Sequence, residues 1–104
     1  MTAPTLVLTL LAPKEIEERL TDVMLDHAPT ATAGFTSREI NGHGAAAAYR
    51  NVAEQIRGRT RLIELTVVAN KADADGLIAH IAEALPGRGI TYQTGPLGSA
   101  GIVG

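Results

Sequence analysis

The chain contains no cysteine and no tryptophan, and its only rings beyond histidine are Phe35, Tyr49 and Tyr92. The absence of cysteine excludes a disulfide framework, a thiolate metal site and a cysteine nucleophile. With so few aromatic side chains, the core of this 104-residue chain has to be aliphatic, and a domain of that size is marginal as a monomer. An oligomer is therefore expected. An excess of positive charge is also missing. Nine basic against eleven acidic residues leave a formal net charge of −2, which argues against a general nucleic-acid binder. No stretch approaches the ~20 apolar residues of a membrane span. The longest apolar segment, 5–12, has no Lys or Arg before it and a charged segment after it. It reads as a strand of a cytoplasmic protein with no direct membrane insertion.

Catalytic patterns are missing as well. Neither Ser37 nor Ser99 sits in a G-x-S-x-G turn, and the acidic pairs Glu17–Glu18 and Asp73–Asp75 fall at predicted helix starts, where capping accounts for them. No paired-histidine motif occurs. A binding protein is expected rather than an enzyme.

What is present is a readable order of elements. Residues 6–11 are apolar on both faces, the pattern of a central strand. Pro13 is suited to open a helix in which Ile16, Leu20, Val23 and Met24 recur at helical spacing, and Pro29 is expected to end it. His27 is expected near that helix's C-terminal end. Residues 34–40 form a second, more polar strand that runs into Gly42-His43-Gly44. Residues 45–57 fit a short helix or a loop. In the third strand, 62–68, Ile63, Leu65 and Val67 share one face, Glu64 and Thr66 the other. Asp73 or Asp75 is placed to cap the next helix, with Leu77, Ile78, Ile81 and Leu85 as its apolar stripe and Pro86-Gly87 as its stop. A last strand covers 90–94. Residues 95–104 carry four glycines and no charge, and form a tail or a swapped segment.

The order predicts an α+β fold of the ferredoxin-like type, βαββαβ, with a four-stranded antiparallel sheet and two helices on one face. Residues 1–94 form this domain and 95–104 the C-terminal tail. The other sheet face needs cover, and a neighbouring copy is the expected source.

On these residues the chain resembles the P-II signalling family. Gly34-Phe35-Thr36 matches that family's G-x-T strand, and Gly42-His43-Gly44 follows at the spacing of the G-F-G that opens its T-loop, here 42–60. Gly42-His43-Gly44, residues 54–59 (EQIRGR), Leu85-Pro86-Gly87 and Tyr92 are closer still to a P-II-like subfamily found beside heavy-metal efflux pumps. Gly95-Pro96-Leu97-Gly98 is similar to the middle of a C-G-P-x-G-C loop in P-II-like proteins of bicarbonate transport, with both cysteines absent. The resemblance implies a homotrimer with a small-molecule effector in each inter-subunit cleft and a membrane transporter or enzyme as target. Its departures narrow the ligand. The connection 86–89 is short and has no lysine, and the arginines after the family's last strand are missing. A mono- or diphosphate such as AMP or ADP, or an anion such as bicarbonate, fits this better than ATP. The tyrosine that the family modifies is also absent, and Tyr49-Arg50 resembles an upstream pair.

The chemistry-bearing residues agree with an anion. Arg50, Arg57, Arg59 and Arg61 fall within twelve residues, and guanidinium forks hold phosphate or carboxylate bidentately. A solvated arginine face would leave the same pattern. The candidate ligand set is Gly34, Phe35, Thr36, Gly42, His43, Gly44, Arg59, Arg61, Gly87, Arg88 and Gly89, with Tyr49, Arg50 and Arg57 facing a partner protein. The alternative is a transition-metal protein similar to the CutA and efflux-associated groups. There His43 would bind copper, zinc or cadmium, joined by Glu39, Glu54 or its own copies around a trimer axis.

Overall fold

The computed structural model describes residues 3–43 and 60–104. The segment 45–57, read as helix or loop, lies outside them.

Strand β1, Leu6–Pro13, is followed by a 3-10 turn, Lys14–Ile16, and helix α1, Glu17–Leu25. A short helix α2, Ala28–Ala33, leads into strand β2, Thr36–Gly42. Strand β3, Thr60–Ala69, helix α3, Lys71–Ala84, and strand β4, Thr91–Pro96, complete the order. The four strands form one antiparallel sheet in the order β2-β3-β1-β4. This is the expected ferredoxin-like arrangement, with the doubly apolar β1 in the interior.

One sheet face carries the core. Leu8, Leu10 and Ala12 lie opposite Val67, Leu65 and Ile63. All six are buried together with Ile16, Leu20 and Met24 of the first helical segment and Ala74, Leu77, Ile81 and Leu85 of the second. No ring enters this cluster, and Phe35 packs only at its margin. The opposite face presents Val7, Thr9 and Leu11 of β1, Leu62, Glu64, Thr66 and Val68 of β3, and Ile40 of β2. None of these belongs to the core or its margin among the described residues. No helix among the described residues is long and apolar enough to cross a membrane.

Several local expectations are corrected. Pro13 is the last residue of β1 and the N-cap of the 3-10 turn rather than the first residue of a helix. Pro29 does not end α1, which stops at Leu25. It sits in the first turn of α2, where the missing N–H costs nothing because that position has no helical acceptor. His27 is accordingly the N-cap of α2, with Nδ1 2.8 Å from the Thr30 hydroxyl. Gly34 closes α2 at φ +80°, a left-handed geometry that a side chain would strain, and its N–H donates to the Thr30 carbonyl at 2.8 Å.

Helix α3 is capped by Asn70 rather than by Asp73 or Asp75. Asn70 Oδ1 accepts from the Asp73 N–H at 2.8 Å, and Asn70 Nδ2 donates to Asp73 Oδ2 at 3.0 Å. Asp75 instead holds Lys71 at 2.9 Å. That hydrogen bond, ahead of the charge attraction, raises the ammonium above its ordinary value. Asn70→Ala is expected to lower the unfolding free energy by about 1 kcal/mol, the usual worth of an N-cap. Asp75→Asn, which loses only an exposed pair, is expected to leave it unchanged. Urea titration of both variants checks the contrast.

Candidate functional site

The sheet register places the candidate residues. Arg38, Glu64, Leu11 and Thr91 form one row across all four strands. Gly42 and His43 lie beyond that row at the end of β2, and Arg61 stands opposite Asn41. Gly87, Arg88 and Gly89 lie beyond it before the start of β4. The two groups are therefore at the same end of the sheet but on opposite edges, about 14 Å apart across three strand spacings. Gly34, Phe35 and Thr36 sit at the other end of β2, a strand length of about 20 Å from Gly42. A single chain does not gather the three groups. Gly44, Tyr49, Arg50, Arg57 and Arg59 lie outside the described residues.

The arginines divide into two kinds. Arg61 Nε donates to Glu39 Oε1 at 2.7 Å, and Arg38 Nε donates to Glu64 Oε1 at 2.9 Å. Both are cross-strand pairs on exposed surface, so the charge of Arg61 is already answered. Arg88 is exposed and makes no ion pair among the described residues. It stands between Gly87 and Gly89, at φ +68° and +73°, conformations that leave the backbone open. Pro86 and Gly87 form a turn, and the N–H groups of Gly87 and Gly89 make no backbone hydrogen bond among the described residues.

His43 is exposed at the end of β2. Among the described residues no three His, Asp or Glu side chains gather as a metal site, and the nearby Glu39 is engaged by Arg61. At the β2–β3 corner, Thr60 is 1% exposed and its hydroxyl finds no partner among the described residues.

Two features escape a reading of the sequence. A groove of about 480 Å³ opens between α3 and β4, with Leu10, Ile81 and Leu85 in its wall and Gly87–Gly89 at its mouth. On the uncovered sheet face, Thr36, Thr66, Thr9 and Gln93 stand opposite one another in a polar row. The Thr-rich strands hold that signal, but only the register aligns it.

A family model described as "Protein of unknown function (DUF3240)" matches residues 2–104. The chain belongs to the DUF3240 family. A DUF3240 protein from Shewanella baltica has the same fold, with a TM-score of 0.77 at 16% identity over 99% of this chain and 100% of that one. CPII from Thiomonas intermedia, a nitrogen regulatory PII-like protein solved with ADP, AMP and bicarbonate, superposes with a TM-score of 0.66 at 16% identity, covering 96% and 97% of the two chains. CutA1 from Pyrococcus horikoshii gives 0.66 at 11% identity over 92% and 86%. No curated protein matches the chain in sequence. The DUF3240 chain thus has the PII-like, ferredoxin-like fold that its glycine motifs resemble.

The Arg61–Glu39 pair is expected to act as an exposed structural contact. Glu39→Gln should lower stability by less than about 1 kcal/mol, and the loss should shrink as salt is raised. Urea titrations at low and high ionic strength measure both.

Proposed function

We propose that this DUF3240 protein is a regulatory sensor, not an enzyme, that assembles as a homotrimer and binds a small anion where two copies meet. The effector is an adenine nucleotide such as ADP or AMP, or bicarbonate. The observation that carries this reading is the division of the candidate residues between two edges of one sheet. Gly42 and His43 belong to the β2 edge, and Gly87, Arg88 and Gly89 to the β4 edge, all at the same sheet end. A two-fold contact would set like edge against like edge. A cyclic, head-to-tail contact sets the β2 edge of one copy against the β4 edge of the next, so that the two groups become opposite walls of one cleft. Gly34–Thr36 lie on the same β2 edge, one strand length away. An elongated nucleotide along that edge can touch both ends, while bicarbonate would occupy one. The bare sheet face supports assembly, and the fold shared with CPII, which was solved with ADP, AMP and bicarbonate, supports the ligand class.

In this reading residues 1–94 are the ligand-binding unit and 95–104 its tail. The 42–60 segment, with Tyr49, Arg50 and Arg57, meets a membrane transporter or enzyme in the cytoplasm. The ligand acts by binding one state of that segment more tightly than another. The CutA1 fold likeness keeps a copper, zinc or cadmium site at His43 as the competing outcome.

Native mass spectrometry is expected to give a trimer, and calorimetry to give heat with ADP or AMP. Arg88→Gln should weaken that binding on the order of tenfold or more, the loss of a charge-assisted contact. Single chains only at micromolar concentration, or no heat with AMP, ADP, ATP or bicarbonate, would overturn the proposal. A zinc, copper or cadmium affinity that falls in His43→Ala, without nucleotide binding, would establish the metal reading instead.

A further inference from the structure

We propose that the groove between α3 and β4 is a binding site in its own right, for an amphipathic anion with a hydrocarbon body and a carboxylate head. The groove is lined by residues of one chain. It lies on the helix side of the sheet, where Leu10 stands opposite Tyr92, so it needs no second copy and does not rest on the nucleotide reading. Its volume of about 480 Å³ is within the ~300–1,000 Å³ of small-molecule pockets.

The lining fixes the chemistry of the guest. Leu10, Ile78, Ile81, Leu85 and Ile90 supply the wall, and Leu10, Ile81 and Leu85 are also core residues, so the floor of the groove is the core itself. A guest body that displaces water from this wall has to be apolar. Tyr92, 58% exposed on β4, is the one ring of the lining among the described residues, and the rest of the wall is aliphatic, a surface on which a hydrocarbon chain packs. Charge enters at one point. Among the described residues Arg88 is the only charged one of the lining, and it stands at the mouth without an ion pair. The N–H groups of Gly87 and Gly89 beside it have no backbone acceptor among the described residues. A guanidinium with backbone N–H donors beside it is suited to a carboxylate. The arrangement therefore pairs an apolar slot with an anion-binding rim, which selects for both properties in one molecule.

The probe is decanoate, titrated into the full chain by calorimetry below its micellar concentration, with acetate and decanol as the single-property controls. Decanoate is expected to bind with one site per chain, and acetate and decanol each at least about tenfold more weakly. Arg88→Gln is expected to bring decanoate down towards decanol. Ala82→Phe projects a ring from an exposed helix position into the groove and is expected to abolish decanoate binding while the thermal unfolding midpoint and any ADP binding stay as in the unaltered protein. Three results would each overturn the proposal: no binding of decanoate, equal binding of decanol and decanoate, or decanoate binding that survives Ala82→Phe. Loss of ADP binding with decanoate binding intact would instead count against the cleft and leave the groove standing.

Discussion

Burial on a single face of a four-stranded sheet is the constraint on which the rest of this molecule depends. Leu8, Leu10 and Ala12 alternate with Val7, Thr9 and Leu11 along β1, and only the first set meets the helices. The period of two leaves no freedom here, since a one-residue slip would carry the whole core set to the wrong side. Because no aromatic side chain among the described residues enlarges the core, the helices have to supply Leu, Ile and Met at close contact. The other face keeps Val7, Leu11, Leu62 and Val68 without cover among the described residues. Each such side chain is worth roughly 1.5–3 kcal/mol when fully buried. A chain this small gains from placing that face against its own copies, and a cyclic assembly does so while bringing unlike sheet edges together.

The parts of the fold that were legible in the sequence are those that periodicity alone decides. Ile63, Leu65 and Val67 are buried on one side as their alternation implies, and Leu77 and Ile81 line the buried side of α3, with Leu85 buried at its C-cap. The parts that were not legible depend on local competition. Pro29 looks like a helix stop because proline removes an N–H, yet in a first turn that N–H has no helical acceptor, and α2 forms around it. Asp73 and Asp75 draw attention as caps by their charge. The signal that would have found the cap is Asn70 followed three residues later by Asp73, the spacing of a reciprocal capping pair.

The candidate site was legible as residue types and not as a place. Glycines at 34, 42, 87 and 89 and arginines at 61 and 88 are visible in any reading, but their separation across the sheet follows only from the strand order and register. The groove was hidden for a related reason. Leu10, Ile81 and Leu85 read as ordinary core residues, and their burial agrees with that. They double as a wall only because the chain between α3 and β4 opens beside them.

The arginines show how structure reweights a compositional signal. Density pointed to the run ending at Arg61, but Arg61 stands in a cross-strand pair with Glu39, as Arg38 does with Glu64. An arginine already answered by a carboxylate offers an incoming anion less, because the anion has to compete with a partner held on the neighbouring strand. Arg88 is isolated in sequence, flanked by glycines in left-handed conformations whose N–H groups make no backbone hydrogen bond among the described residues. It stands at the mouth of the groove and on the β4 edge that a head-to-tail neighbour would face. The cation least conspicuous in the sequence is therefore the one through which an anion, from either side, has most to gain.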